Sequence, residues 1–151
     1  MSFKDQNWEE RIETLGDPAE NAFRKYAAQG GIACVKYGLD RPPLDLSRTP
    51  SYIRYTPDFL TNNGLVEVQG CGRDQCFKFK HDKLRALLQW QRHHHVDMWL
   101  WNEPLDDWRQ IPVVRLVMMC RDSSKWTNTF RVDGAFDGSK PFSSVPWIDL
   151  I

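Results

Sequence analysis

The sequence predicts an α/β domain built on a mixed central β-sheet flanked by helices. Three observations carry this. A helix near the N-terminus is marked at both ends; an Asn-Asn-Gly turn joins two β-like arms in mid-chain; and the elements run helix, strand, hairpin, helix, strand, strand. The 151 residues suit one domain spanning 1–151, long enough to bury a core without staples.

Residues 7–15, NWEERIETL, place Trp8, Ile12 and Leu15 at helical spacing. In GDPAENAFRKYAAQGG, Asp17 is a good N-cap, Pro18 sits at the first helical position and Glu20 stands three residues after the cap. Gly30 and Gly31 end that helix, and IACVKY reads as a short strand. Residues 40–51 hold three prolines and predict an extended connection. The hairpin arms are expected over 52–60 and 65–69, with Gly64 supplying the freedom of the turn. A second helix is expected over 77–93, strands over 96–101 and 112–120, and a polar loop over 102–111. The last thirty residues, rich in turns and aromatics, predict irregular structure or short strands over the core.

Hydrophobic residues at 41% and charged residues at 26% fit a folded soluble chain rather than a disordered one. No run approaches the ~20 apolar residues of a membrane span. MSFKDQNWEER lacks a signal-peptide core, so the expected location is cytoplasmic, meaning the host cytoplasm if a phage encodes the chain. The four cysteines show no CxxC spacing and read as free thiols; zinc on Cys71, Cys76 and His81 would lack a fourth ligand. His93, His94 and His95 read as a solvated helix end, because consecutive helical side chains diverge.

Twenty basic and twenty acidic side chains balance, which argues against a generic polyanion coat. Locally the balance differs: Arg73, Lys78, Lys80, Lys83, Arg85 and Arg92 face only Asp74 and Asp82 over 73–92.

The chemistry concentrates in RYTPDFLTNNGLVEVQG, residues 54–70. A hairpin brings Asp58 and Glu67 together if their registers match. Two such carboxylates repel unless a hard cation sits between them, and Mg²⁺ is held by one or two carboxylates together with waters and a substrate phosphate. That pattern points to metal-dependent phosphodiester hydrolysis. A turn residue at Asp58 and a solvated strand face at Glu67 and Gln69 would give the same letters.

Thr56-Pro57-Asp58-Phe59, then Asn63-Gly64, then Val66-Glu67-Val68-Gln69-Gly70, followed by a basic stretch, resembles the PD-(D/E)XK nuclease superfamily. Within it the sequence is most like the T7 endonuclease I family of Holliday-junction resolvases, and it is also similar to TnsA-type transposon endonucleases. The strong likeness covers residues 54–70, and a looser match of element order covers 17–101. The resemblance implies a restriction-endonuclease-like core, with Asp58, Glu67 and the carbonyl of Val68 as ligands to Mg²⁺, for which Mn²⁺ can substitute. The resemblance also makes Glu20 a catalytic residue that would complete the acidic cluster as a metal ligand for a second ion, although the capping box explains it equally well.

Gln69 departs from the family, which has lysine there; glutamine can hydrogen-bond a water but carries no charge. Lys78, Lys80 and Lys83 follow in the chain, and Lys80 is taken as the replacement acting with Gln69. Arg73, Lys78, Lys80 and Lys83 are expected to contact DNA phosphates. Trp90, Trp99 and Trp101 read as core, and Trp126 beside Lys125 as a candidate nucleic-acid contact. The resemblance implies branched DNA as substrate and a homodimer, with 40–51 a candidate bridge between subunits. The alternatives are cleavage of duplex or single-stranded DNA in repair, transposition or restriction, or a catalytically silent DNA-binding module.

Overall fold

The computed structural model of the chain describes residues 17–38, 49–121, 129–132 and 138–150. The helix expected over 7–15, most of the 40–51 connection, Trp126 and the side chain of Asp17 lie outside the described residues.

Helix α1 (Asp17–Gln29) buries Ala19, Phe23 and Ala27, the i, i+4, i+8 stripe of an amphipathic helix. After it come β1 (Cys34–Lys36), a single helical turn α2 (Ser51–Arg54), β2 (Phe59–Thr61) and β3 (Gly64–Cys71). The hairpin is therefore shorter on its first arm than the expected 52–60, because residues 51–54 are helical. Its turn is tight, with Thr61 paired to Gly64. Gly64 has φ +123°, and a Cβ there would lie 2.6 Å from the His95 carbonyl oxygen, so conformation and space both require glycine.

The expected 77–93 helix begins later. Residues 76–80 form β4 (Cys76–Lys80), and only then does α3 (His81–Gln91) start. Phe77 and Phe79 are fully buried while Lys78 between them is exposed, a period of two that a helix cannot meet. β5 (Val96–Asn102) follows as expected, and β6 (Asp107–Pro112) replaces the expected loop. The chain reverses into β6 through Asp106, at φ 47°, ψ 47°. Residues 112–120 are not a strand: α4 (Val113–Arg121) buries Val113, Leu116, Val117 and Cys120 and exposes Val114, Arg115 and Met118. The 3.6-residue rhythm of burial overrides the β-branched composition there. The C-terminal part supplies β7 (Thr129–Val132), β8 (Gly138–Pro146) and a final 3₁₀ turn over Trp147–Leu150.

Two sheets result. One has the order β1-β2-β3-β5-β6, with β3 and β5 parallel and every other pairing antiparallel; the other has the order β4-β8-β7. α1 packs on the face that shows Phe59, Val66, Val68 and Trp99. The opposite face shows Leu65 and Cys71, together with Met98 and Leu100 of β5. It is covered by Leu84 and Leu87 of α3, Leu116 of α4, Phe77 and Phe79 of β4, and Val145 of β8. This is the mixed α/β architecture that the sequence predicts. No described helix is long and apolar enough to cross a membrane.

Candidate active site

Along β3 the side chains alternate between the two faces, so Val66 and Val68 turn to α1 while Glu67 turns to α3. Asp58 stands just before β2, at the edge where, among the described residues, β3 runs on past β2 without a partner strand. There the Asp58 carboxylate replaces the missing strand: the Val68 N–H donates to its Oδ2 at 2.8 Å. A strand residue turns its N–H and C=O to the same edge, so the Val68 carbonyl also faces the Asp58 side. The register therefore brings Asp58 and Glu67 together, as the hairpin reading requires.

A lysine reaches this centre from each face. Lys83, in the first turn of α3, pairs with Glu67 Oε1 at 2.5 Å. Lys36, at the end of β1, donates to Glu20 Oε1 at 2.9 Å and lies 3.6 Å from Asp58 Oδ1. Glu20, on α1, thus joins the centre through Lys36. Sequence reasoning missed Lys36. Its signal was faint: β1 turns Lys36 inward and leaves Val35 exposed, the reverse of what polarity suggests.

The electrostatics follow from crowding. Burial, then the Glu67 charge, push the Asp58 carboxyl up to about 7; Lys83, Lys36 and the Val68 N–H pull the other way and only limit the rise. Burial alone would lower the Lys83 ammonium, but Glu67 and Asp58 outweigh it and raise it above the usual lysine value. Glu67 is 6% exposed, and its second oxygen, Oε2, is buried without a hydrogen-bond partner among the described residues. A buried unpaired carboxylate oxygen is costly, and a cation would satisfy it.

The other expected site residues spread outward. The Gln69 amide donates to the Lys78 carbonyl at 3.0 Å, tying β3 to β4. Lys80 closes β4 and precedes α3, but the ion pair with Glu67 comes from Lys83. Lys78 is exposed and lies 4.0 Å from Asp74; Arg73 is exposed in the β3–β4 turn. Of the aromatic residues, Trp99 is fully buried and Trp101 packs on the α1-side core, while half-buried Trp90 stacks on Tyr52 at 4.4 Å. His81 Nε2 is engaged with Ser143 Oγ at 3.0 Å.

The fold is a five-stranded mixed sheet flanked by helices, with the acid-lysine centre beside its β3 strand. Among solved structures the chain is similar to Hjc, a Holliday junction resolvase from the archaeal hyperthermophile Archaeoglobus fulgidus. The TM-score is 0.53 at 16% identity, covering 89% of this chain and 90% of that one. At that identity the likeness is one of fold. No family model matches the sequence, and no curated protein matches it.

Proposed function

We propose that the chain is a divalent-metal-dependent DNA endonuclease that hydrolyses phosphodiester bonds in branched DNA. The observation that carries this is buried Glu67 next to half-buried Asp58, with one unpartnered oxygen, Glu67 Oε2, beside Lys83. The fold shared with a junction resolvase supports the choice of branched substrates.

The residues present suit Mg²⁺ or Mn²⁺. Among the described residues no three His, Cys, Asp or Glu side chains gather as a cation site. Asp58, Glu67 and the Val68 carbonyl nevertheless form an all-oxygen set with only two carboxylates, which is how Mg²⁺ is usually held. A bound divalent ion there supplies a more acidic water and neutralises charge on a phosphoryl oxygen. The rest falls to the chain. Lys83, held cationic by its two acids, stands where charge on the phosphate develops and takes over the part of the lysine that Gln69 lacks. Gln69 keeps β4, and therefore the start of α3, in place. The exposed Arg73 and Lys78 would provide phosphate contacts that set register without reading sequence. A homodimer would place two such centres on the two strands of a junction. The chain would act in the cytoplasm, where DNA is accessible.

A silent DNA-binding module is the second reading, favoured by the Gln69 amide being spent on the Lys78 carbonyl. Cleavage of a labelled panel (four-way junction, flap, duplex and single strand) with Mg²⁺ or Mn²⁺ decides between the two. Junction cutting that is lost in Asp58→Ala supports the resolvase-like enzyme. Cutting of linear substrates alone keeps the centre and discards the junction preference. Binding without cutting selects the silent module.

A further inference from the structure

The cation place between Glu20 and Asp58 is already filled by part of the chain itself. Lys36 is not a long side chain that drifts onto an acid. It sits opposite Phe59 in the β1–β2 register, one residue after Asp58. The next two N–H groups, of Tyr37 and Gly38, both donate to the Asp58 carbonyl, at 2.8 and 3.2 Å. Gly38 permits this clamp, since a Cβ there would lie 2.9 Å from the Thr56 and Pro57 carbonyl oxygens. The Lys36 ammonium lies 5.1 Å from the centre of the Phe59 ring, and that ring packs on Phe23 of α1 at 4.9 Å. Main chain, ring and two carboxylates thus fix the ammonium between Glu20 and Asp58.

Charge points the same way. Glu20, Asp58 and Glu67 face Lys36 and Lys83, and these five side chains alone, all ionised, sum to one net negative charge. One divalent ion leaves a single positive charge, which complements one phosphodiester. Two ions would leave three positive charges around one negative group. The unpartnered oxygen lies on Glu67, which pairs with Lys83 and not with Lys36 in the ion pairs described above.

We infer that this is a one-metal centre, in which the Lys36 ammonium occupies the position that a second ion would take between Glu20 and Asp58. The inference rests on the reading above that Asp58 and Glu67 hold a divalent ion.

Titrating the purified chain with Mn²⁺ by calorimetry, with no DNA present, counts the ions directly. The expected result is one ion per wild-type chain, and still one for Lys36→Arg, which keeps the charge. Lys36→Gln should bind a second, weaker ion, and adding Glu20→Gln to it should return the count to one. Two ions in the wild type, one of them lost in Glu20→Gln, would overturn the inference and leave the nuclease reading standing. A count of one in both wild type and Lys36→Gln would show that Lys36 holds no ion's place. No ion in the wild type or in Lys36→Gln would sink the metal reading itself, and this inference with it. The wild-type count decides the first and last of these outcomes even if Lys36→Gln fails to fold.

Discussion

The two faces of the five-stranded sheet each deliver one lysine and one glutamate to Asp58, but by different means. On the α1 face, Lys36 is carried by a strand whose register and main-chain clamp set its position. On the α3 face, Lys83 is carried by the first turn of a helix, where the helix dipole disfavours a cation. Glu67 and Asp58 keep it charged there against the cost of burial. The two glutamates differ as well: Glu20 is half-buried on a helix, whereas Glu67 is buried in a central strand with one oxygen unpartnered. The lesson is that a charge positioned by strand pairing is a fixed part of the frame, and a charge positioned by helix docking depends on its partner acid. The unpartnered oxygen belongs to the α3 half, and the α1 half holds Lys36 against Asp58.

The largest effect should come from removing the acid both halves share. Asp58→Ala is expected to lower cleavage by about 10³-fold or more, the scale of losing a main source of transition-state charge stabilisation, read from single-turnover cutting of a junction.

Splitting the halves comes next. Lys83→Met should cost about 10²-fold in the same assay. Lys36→Met should cost about tenfold or less, since Lys36 stands between Glu20 and Asp58 and its ion pairs are with those two acids rather than with Glu67. Equal losses would mean that the two lysines serve the centre alike. Lys83→Met should also destabilise the fold by about 3 kcal/mol in urea, because it leaves Glu67 buried without its partner. Adding Gln69→Lys to Lys83→Met should recover part of the cleavage, since residues 67 and 69 share a face of β3.

The core behind α3 offers a pH test. Burial, with help from the Arg85 charge, lowers the His81 pKa from 6.5. The folded chain therefore favours neutral His81. Its contribution is fully present above pH 6.5, shrinks as pH falls below that, and is gone below the folded-state pKa. Thermal melts should show stability falling on acidification through this window, and His81→Gln should flatten that slope. The smallest effect belongs to the exposed Lys78–Asp74 pair at 4.0 Å: Asp74→Asn should change stability by less than about 0.5 kcal/mol.

Much of the site was legible in the sequence. The Pro-Asp, the Asn-Asn-Gly turn and the Glu-x-Gln strand bring Asp58 and Glu67 together by local pairing, and local pairing leaves a local pattern. Lys83 was visible but not separable from Lys80. The available signal was its spacing of three and four residues from buried Ala86 and Leu87, which puts it on the inward face of α3. That signal could be used only once the helix start was known, and the start was misread because the Phe77–Lys78–Phe79 alternation was absorbed into the helix. Residues 112–120 failed for a related reason: three valines and a leucine suit a strand or a helix equally, and packing chose the helix.

By itself the sequence determined the fold class, the first helix, the hairpin turn and the pair of acids, because each rests on neighbours a few residues apart: caps, glycine geometry and strand alternation. Only the tertiary structure decided which lysines serve those acids. Lys36 meets Glu20 across 16 positions and Asp58 across the β1–β2 pairing, and Lys83 meets Glu67 from a helix docked on the opposite face. Such meetings depend on how sheet and helices pack, and Coulomb attraction acts through space regardless of chain order.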